Sequence, residues 1–567
     1  MLPNDVNAHH HKQTALMTVV EKIRAVVEAE RDRFGVPGCA VVVVKDGEVL
    51  LAEGFGRRDV DADLPVTADT LFPIGSSTKT FTAAVCASLV DEGKLDFDAP
   101  VSTYLPGFRL QDPVATQLLS VRDCLSHRSG LPRHDLIWYA GDGTLTREQV
   151  VAALPHLPPT QPFRQAWQYN NLLYLTAGYL AGTLTGGTFE DAVRDRILTP
   201  LGMTRTNFSV VETQADADHA KPYVRNYGDE IAKQVPFASL GVAGPAGNIN
   251  SSVNELVPWL TTLLGGGLLS DSVLKELRTP AWPIVPLFDE GVARNVGYGL
   301  GLVVEEYRGK RITHHGGNID GFSSQVLTVP EDGVGIAVLT NLHGTALRDA
   351  LPYLVLDILD DVEPADHGAT YHARMTAMFE AADNAKRSGA ARSKPLGAVR
   401  PLEDYVGEYA HPGYGPVTIG EGLSFQYYNL PEGRLEHRHL EVFDVVVRVS
   451  GDDNRFPAQF THDLEGEVDA LLLKIEPSMA PQRFVRQHSS AHLTDAFLDE
   501  VAGTYAFGAI KAVVSRRGEK ELLVSVGGGA PATLVPQSGR AFTLDGSPVE
   551  FTEDGRLSTP MGDFTRT

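Results

Sequence analysis

The chain has 567 residues, a length that predicts roughly three or four domains. Hydrophobic residues make up 43% and charged residues 21%, an ordinary globular composition that excludes disorder, collagen and coiled coil for the chain as a whole. The 49 basic and 72 acidic residues give a net charge of −23. We therefore expect no nucleic-acid partner, because phosphate contacts need lysine and arginine.

The ends and the cysteines of the chain predict a cytoplasmic protein without disulfides. No basic start is followed by an apolar stretch, and no run of about 18 apolar residues occurs, so we expect no signal peptide and no membrane span. The three cysteines, Cys39, Cys86 and Cys124, are too few for a disulfide framework and lack zinc-site spacing. We expect them to be buried thiols, and we expect no metal and no cofactor.

Residues 13–362 predict an α+β domain. A helical pattern over 13–34 precedes a β-hairpin whose turn is Asp46-Gly47, with strands over 39–44 and 49–52. Residues 70–270 are rich in helical patterns and loops. Further strands are predicted over 298–305, 311–314, 322–329 and 334–340, followed by a helix over 345–359. An antiparallel sheet flanked by helices should therefore face an all-helical lobe, with the active site in the cleft between them.

Residues 363–400 predict a linker made of a helix and a loop. Beyond it a weak repeat occurs, since Val406-Gly407-Glu408-Tyr409 is echoed by Ala502-Gly503-Thr504-Tyr505. Alternating apolar segments with glycine turns lie between these marks. We therefore predict two small β-barrel domains, over 401–487 and 495–567.

The first chemical motif is Ser76-Ser77-Thr78-Lys79, at the start of an apolar helical segment. Residues three apart on a helix share a face, so Lys79 should point back to the Ser76 hydroxyl. A serine hydroxyl needs a base to act as a nucleophile, and a desolvated lysine can serve as one. Alone, the pattern also fits a capped helix with a surface lysine.

The second motif, Tyr169-Asn170-Asn171, precedes another helical segment. A tyrosine beside a lysine ammonium loses its proton more easily, and it can then pass the serine proton to a leaving group. Asn171 can hydrogen-bond the lysine and a substrate amide. A loop tyrosine followed by an asparagine cap is the structural alternative.

The third motif follows a predicted strand and reads His314-His315-Gly316-Gly317-Asn318. Glycines let a substrate lie close against the strand backbone. A backbone N–H just after them can complete an oxyanion hole with the N–H of Ser76. A glycine-rich hairpin with histidines at its edge is the structural alternative.

Together, in this order and spacing, the three motifs resemble the serine β-lactamase and penicillin-binding-protein superfamily, in its class C-like esterase and peptidase branch. Three further segments resemble motifs of that branch: Leu125–Pro132, Pro200–Met203 and Pro245–Ser251. The resemblance covers about residues 13–362. The two barrels of the tail, which would be lipocalin-like, are similar to those of its three-domain D-aminopeptidases.

The resemblance implies a role for each motif residue. Ser76 matches the nucleophile, Lys79 its activating lysine and Tyr169 the catalytic tyrosine. Asn171 matches the asparagine of Y-x-N, and His315, which we expect among the catalytic residues, begins an H-x-G motif where β-lactamases carry K-T-G. Within that motif Gly317 matches the glycine, and the main-chain N–H groups of Ser76 and Asn318 match the oxyanion donors.

One departure bears on the substrate. The lysine and threonine that hold a β-lactam carboxylate are replaced by His315 and Gly316, which argues against efficient β-lactam hydrolysis. Asp320 lies close to the expected cleft and could pair with a substrate ammonium, although a turn residue before Gly321 is the favoured interpretation.

These motifs predict a serine hydrolase that forms an acyl-enzyme and cleaves small amides or short peptides, with D-residues among the candidates. The alternatives are a carboxylesterase, a β-lactamase or D,D-carboxypeptidase, and a non-catalytic binding protein on the same fold. The expected partner is a small-molecule or short-peptide substrate, and a homo-oligomer is also considered.

Overall fold

The computed structural model describes residues 3–140, 145–225, 231–238, 240–284, 293–390, 397, 400–449, 452–487, 493–518, 521–538, 540–545 and 547–567. Within these ranges, no helix is both long and apolar enough to cross a membrane. The three predicted buried thiols are buried and free.

The first part of the chain contains thirteen strands among the described residues. They are β1 (Gly38–Lys45), β2 (Glu48–Asp59), β3 (Leu64–Pro65), β4 (Phe72–Pro73), β5 (Tyr223–Val224), β6 (Lys233–Gln234), β7 (Asn250–Ser251), β8 (Trp282–Pro283), β9 (Ala293–Tyr298), β10 (Val303–Tyr307), β11 (Lys310–Ile319), β12 (Phe322–Val329) and β13 (Val334–Thr340).

The α-helices of the same part lie before, between and after these strands. They are α1 (Pro3–Phe34), α2 (Thr78–Asp91), α3 (Val101–Tyr104), α4 (Pro113–Leu118), α5 (Val121–Leu125), α6 (Arg147–Ala153), α7 (Asn171–Thr185), α8 (Phe189–Val193), α9 (Thr199–Leu201), α10 (Val210–Ala215), α11 (Val253–Leu264), α12 (Asp271–Leu277), α13 (Leu347–Leu359) and α14 (His367–Ala390). Helix α1 precedes the first strand, α2 to α12 lie between β4 and β8, and α13 and α14 follow β13.

Nine strands form the main sheet, in the order β3-β2-β1-β13-β12-β11-β10-β9-β8. The valine run of β1 is buried on both faces because β1 pairs with β2 and β13 and helices cover both sides. Asp46 and Gly47 both have positive φ, 52° and 82°, as the predicted hairpin turn requires. Helices α2 and α11 contribute to the core on one face of the sheet, and α1 and α13 to the core on the other.

One strand prediction is wrong. The segment 298–305 is not continuous, because β9 ends at Tyr298 and β10 begins at Val303. The four residues between them form the turn of a hairpin, and Gly301 there has a φ of +76°.

The tail forms two closed eight-stranded barrels, which confirms the predicted fold class. The first consists of β14 (Gly407–His411), β15 (Gly415–Ile419), β16 (Ser424–Gln426), β17 (Gly433–His439), β18 (Val442–Val449), β19 (Asp452–His462), β20 (Val468–Leu473) and β21 (Gln482–Gln487). After α15 (Asp495–Val501), the second consists of β22 (Gly503–Phe507), β23 (Ile510–Arg517), β24 (Glu521–Val526), β25 (Ala532–Ser538), β26 (Ala541–Leu544), β27 (Ser547–Phe551), β28 (Arg556–Thr559) and β29 (Gly562–Arg566).

The two barrels relate differently to the rest of the molecule. The interior of the first belongs to the same hydrophobic cluster as the core beneath α2 and α7, whereas the interior of the second is a separate cluster. Helix α14 occupies the first part of the predicted linker, and most of its loop lies outside the described residues. The domain bounds 13–362, 401–487 and 495–567 stay predictions.

Candidate active site

The serine and the lysine of the first motif lie together. A single 3₁₀ turn, Gly75–Ser77, leads into α2 and leaves Ser76 partly exposed at the helix start. Lys79 is fully buried one turn later, and its Nζ lies 3.1 Å from Ser76 Oγ. The same Nζ donates to the carbonyl of Ala246 at 2.8 Å, which fixes its position.

Burial lowers the pKa of the Lys79 ammonium well below its usual value, and the positive charge of Arg133 lowers it further. A lysine in this environment favours the neutral amine, whose lone pair can accept the Ser76 proton. The pair therefore has the geometry that a nucleophile and its base require, and the pKa of the lysine is shifted in the direction that a base requires.

Tyr169 is held at the same point by the loop that leads into α7. Asn170 caps that helix by accepting from the backbone N–H of Leu173 at 2.9 Å. The Tyr169 side chain hydrogen-bonds with Ser76, and Lys79 Nζ lies 4.8 Å from the centre of its ring.

The expected easy loss of the phenolic proton is wrong for the free protein. Burial raises the pKa of Tyr169 to about 12, and the hydrogen bond with Ser76 only partly offsets this. The physical reason is that a buried phenolate loses its solvation by water, and this loss outweighs the stabilising charge of Arg133. Tyr169 is therefore suited to donate a proton, and Lys79 to accept one.

Gly317 is required by a backbone contact within the protein. A Cβ at this position would lie 1.9 Å from the carbonyl oxygen of Ile74, just before the serine turn. A Cβ at Gly75, which has a φ of +51°, would lie 2.9 Å from the backbone nitrogen of Asn318. The glycines thus let β11 pack directly against the serine turn. This reason for Gly317 differs from the predicted one, which was the close approach of a substrate.

The register of β11 directs the amide of Asn318 away from β12. Ile319 and Phe322 close a hairpin of two residues, so they exchange backbone hydrogen bonds, and the direction alternates along the strand. The opposite edge is uncovered there, because β10 pairs with β11 only as far as Val303 and His314. The backbone N–H of Asn318 therefore points to the side of β11 that β10 leaves unpaired, next to the turn that carries Ser76.

His315 is buried on this strand but hydrogen-bonds away from the serine. Its ring nitrogens lie 2.9 Å from the hydroxyl of Tyr298 and 2.7 Å from the carbonyl of Gly316. Burial and the nearby Lys79 lower the pKa of His315 to about 3, so the ring is neutral. Its ring centre lies 6.5 Å from that of Tyr169. The contacts make it a support for the wall of the site.

Asn171 does not hydrogen-bond Lys79 as expected. Its amide nitrogen donates to Asp135 at 3.1 Å, and its buried oxygen has no partner among the described residues. Asp135 also pairs with Arg133, whose guanidinium lies 5.1 Å from the centre of the Tyr169 ring. The ion pair of Arg133 and Asp135 thus connects the motif residues Tyr169 and Asn171.

Asp320 lies in the hairpin turn between β11 and β12, before Gly321 with its φ of +85°. This is the turn position that the sequence favours. Its carboxylate is partly exposed, has no hydrogen-bond or ion-pair partner within the described ranges, and contributes to raising the pKa of Tyr139 to about 12 after the larger effect of burial.

The first barrel contacts the loop that carries Arg133 and Asp135. Glu476 accepts from the backbone N–H of His134, and Tyr414 hydrogen-bonds with His134 Nδ1 at 2.6 Å. Burial raises the pKa of the Glu476 carboxyl, and the charge of Asp135 adds to this effect.

Several of these side chains are absent from the sequence prediction. Arg133 and Asp135 directly follow the segment 125–132. Their position beside this family-like segment could have predicted that they lie at the site. Arg348 is a second case: it donates to the carbonyl of Gly317 and contacts Asp349 at 3.3 Å. No pattern in the sequence connects Glu476 with His134, which lies 342 residues earlier.

The site is built for acid–base and nucleophilic chemistry. Within the described part of the chain, no three His, Cys, Asp or Glu side chains are grouped so that they could hold a metal ion. The site contains a nucleophile, a buried amine, a phenol and the nearby backbone amides of Ser76 and Asn318. These are the elements of a serine hydrolase.

Comparison with known proteins agrees with that class. Residues 23–360 match the β-lactamase family, and the chain belongs to this family of hydrolases. Residues 391–487 match a domain of unknown function, DUF3471.

Three relatives illustrate the similarity. The unguisins hydrolase ungD′ of Aspergillus campestris is 30% identical over 513 residues, which cover 84% of this chain and 94% of that protein. A D-amino acid amidase from Ochrobactrum anthropi is 25% identical, with a TM-score of 0.52, over 61% of this chain and 99% of its own. An octameric penicillin-binding protein homologue from Pyrococcus abyssi is 22% identical, with a TM-score of 0.55, over 82% and 100%, and shows the fold alone.

Proposed function

We propose that this protein hydrolyses amide bonds of small amides or short peptides, including those of D-residues, through an acyl-enzyme on Ser76. The observation that carries the proposal is the 3.1 Å contact between Ser76 Oγ and the buried nitrogen of Lys79. The similarity to an unguisins hydrolase and to a D-amino acid amidase supports amides as the substrate class.

In the acylation step, Ser76 Oγ attacks the substrate carbonyl carbon while its proton passes to Lys79 Nζ. The N–H groups of Ser76 and Asn318 stabilise the oxyanion of the tetrahedral intermediate. The C–N bond then breaks, Tyr169 donates its hydroxyl proton to the leaving nitrogen, and the Lys79 ammonium returns a proton to Tyr169.

Deacylation repeats these steps with water as the nucleophile. Lys79, neutral again, removes a proton from the attacking water through the same polar cluster, and the ester bond to Ser76 Oγ breaks. Ser76 recovers its proton and the carboxylic acid product leaves.

The surroundings of β11 favour an amidase over a β-lactamase. His315 is neutral and hydrogen-bonded to Tyr298, so it supplies no positive charge for a β-lactam carboxylate. The nearby guanidinium of Arg348 is already engaged by Gly317 and Asp349. The carboxylate of Asp320 is instead partly exposed and without a partner among the described residues, so it can accept from a substrate ammonium or N–H group.

The test is a substrate panel measured with the wild type, with Ser76→Ala, and with Ser88→Ala as a matched control about three turns further along α2. The panel contains L- and D-aminoacyl anilides, nitrophenyl esters and a chromogenic cephalosporin. We expect anilide hydrolysis that is lost in Ser76→Ala and retained in Ser88→Ala.

Each other outcome selects one of the alternatives. Turnover of esters without anilides would indicate a carboxylesterase, and preferred turnover of the cephalosporin would indicate a β-lactamase. Inactivity of the wild type on the whole panel would favour a binding protein on this fold.

A further inference from the structure

The second barrel encloses a cavity of about 270 Å³. Aliphatic side chains and one ring line most of it: Ala512, Val524, Val526, Leu544, Val549, Leu557 and Phe564. The most buried of them, such as Ala512 and Leu557, are at most 2% exposed. An eight-stranded barrel has an interior that either is filled by its own side chains or holds one small ligand.

One end of this barrel is closed by aromatic rings. Phe497 of α15 stacks on Phe542 at 6.2 Å, and Phe551 contacts Phe542 at 5.4 Å and Tyr505 at 6.0 Å. The interior is therefore sealed at the end where α15 lies.

The other end, which we call the mouth, is open and rimmed by exposed apolar side chains. It is formed by the β22–β23, β24–β25, β26–β27 and β28–β29 hairpins, because alternate turns of an up-and-down barrel lie at one end. Phe507 and Ile510 are 44% and 42% exposed there, and Met561 is 60% exposed and also lines the cavity. The polar lining residues are Asp545, Ser547 and Thr559.

The first barrel shows what the same architecture looks like when it is filled. Its interior is packed with large aromatic side chains, namely Tyr405, Tyr409, Tyr414, Phe425, Tyr427, Phe443, Phe460 and Phe484. Its corresponding end docks on the main domain, where Asn429 donates to Tyr139 and Tyr414 bonds to His134. Docking on a protein surface thus does not require a cavity in this architecture.

We propose that the second barrel binds a small apolar molecule, with a hydrocarbon chain or ring inside the cavity and an uncharged or positively charged end at the mouth. The volume is nearly twice the roughly 150 Å³ of a cavity that holds a benzene ring. Asp545 is the only charged group that lines it within the described residues, so a carboxylate end is disfavoured. This binding site is separate from the candidate active site.

The test is isothermal titration of the full-length protein with 1-butanol, 1-hexanol and 1-octanol. Transfer of each CH₂ group into an apolar cavity should tighten binding by about fourfold, until the cavity is full. Octylammonium should bind at least as tightly as 1-octanol, and octanoate more weakly than both.

Variants separate the cavity from the outer surface of the same strand. Ala512→Phe and Val526→Phe each place a ring inside the barrel, from directly opposite positions on β23 and β24, and Val513→Phe, at a position 45% exposed, serves as the control. We expect at least a tenfold loss of octanol affinity in both filling variants and none in the control. Hydrolytic activity and the thermal midpoint identify any variant that fails to fold.

Three results would overturn the proposal. One is the absence of measurable binding of every alcohol to the wild type. Another is octanol affinity that survives in a folded Ala512→Phe or Val526→Phe protein. The third is a wild type that binds no alcohol but self-associates in light scattering until the mouth is altered at Met561, which would make the mouth a protein contact.

Discussion

The charge of Arg133 should set the pH at which Lys79 becomes an effective base. Arg133 and Lys79 lie 5.1 and 4.8 Å from the centre of the same Tyr169 ring, so their charges are at most about 10 Å apart. At an effective dielectric constant of about 20, this separation gives a repulsion of about 1.7 kcal/mol, or about 1.2 pKa units. Half of the Arg133 side chain is exposed, and solvent screening reduces the shift to about 0.5–1 unit.

Arg133→Gln should therefore raise the pKa of Lys79 and move the acid limb of kcat/KM to higher pH by that amount. The measurement is the pH dependence of kcat/KM for a nitrophenyl ester, which reports the protonation of the free enzyme. Arg109→Gln, which removes an exposed arginine whose guanidinium donates to the carbonyls of Pro106 and Phe108, should leave the limb unchanged. An acid limb that stays in place or moves to lower pH in Arg133→Gln would contradict the idea that the charge of Arg133 lowers the pKa of Lys79.

Asp135 provides a test of opposite sign. Its negative charge raises the pKa of Lys79, so Asp135→Asn should move the acid limb to lower pH. Equal shifts in the same direction for both variants would show that loop distortion, and not charge, controls the profile.

Three further predictions concern the framework of the site. Gly317→Ala should lower the free energy of unfolding by about 1–3 kcal/mol and should reduce activity at least tenfold, because the new Cβ meets the carbonyl of Ile74. The control Gly107→Ala should be neutral, since nothing lies within 4 Å of the added Cβ. Equal effects of the two substitutions would contradict this prediction. Tyr414→Phe should cost about 1–2 kcal/mol in urea unfolding, since it leaves the ring of His134 without its partner; an unchanged midpoint would argue against the contact. Burial lowers the pKa of His134 to about 4, so its neutral form contributes stability that is complete above about pH 6.5 and is lost between pH 6.5 and 4. His134→Gln should flatten this decline in the free energy of unfolding by about 1.4 kcal/mol per pH unit. An unaltered slope would contradict this prediction.

Much of the fold follows from local sequence patterns. The valine run of β1 and the Asp46-Gly47 turn give the first hairpin because a central strand is apolar on both faces and positive φ favours these turn residues. The two strands predicted over 322–329 and 334–340 have the same bounds in the structure. The prediction of one continuous strand over 298–305 was wrong because the glycines interrupt an apolar run without marking which residues form the turn.

The candidate site is predictable only where its residues are close in sequence. Ser76 and Lys79 are one helical turn apart, so helical geometry alone brings them together. The state of Tyr169 could not be predicted, because its pKa depends on burial by distant segments. The contact of Glu476 with the loop of His134 depends on how a barrel docks, which no local pattern specifies.

The acyl-enzyme on Ser76 is tested most directly by intact-protein and peptide mass spectrometry after a slowly hydrolysed nitrophenyl ester is mixed with the protein. We expect a mass increase of one acyl group, located on the peptide that contains Ser76 and absent from Ser76→Ala. Wild-type turnover by Ser76→Ala, or an acyl group on another residue, would contradict it.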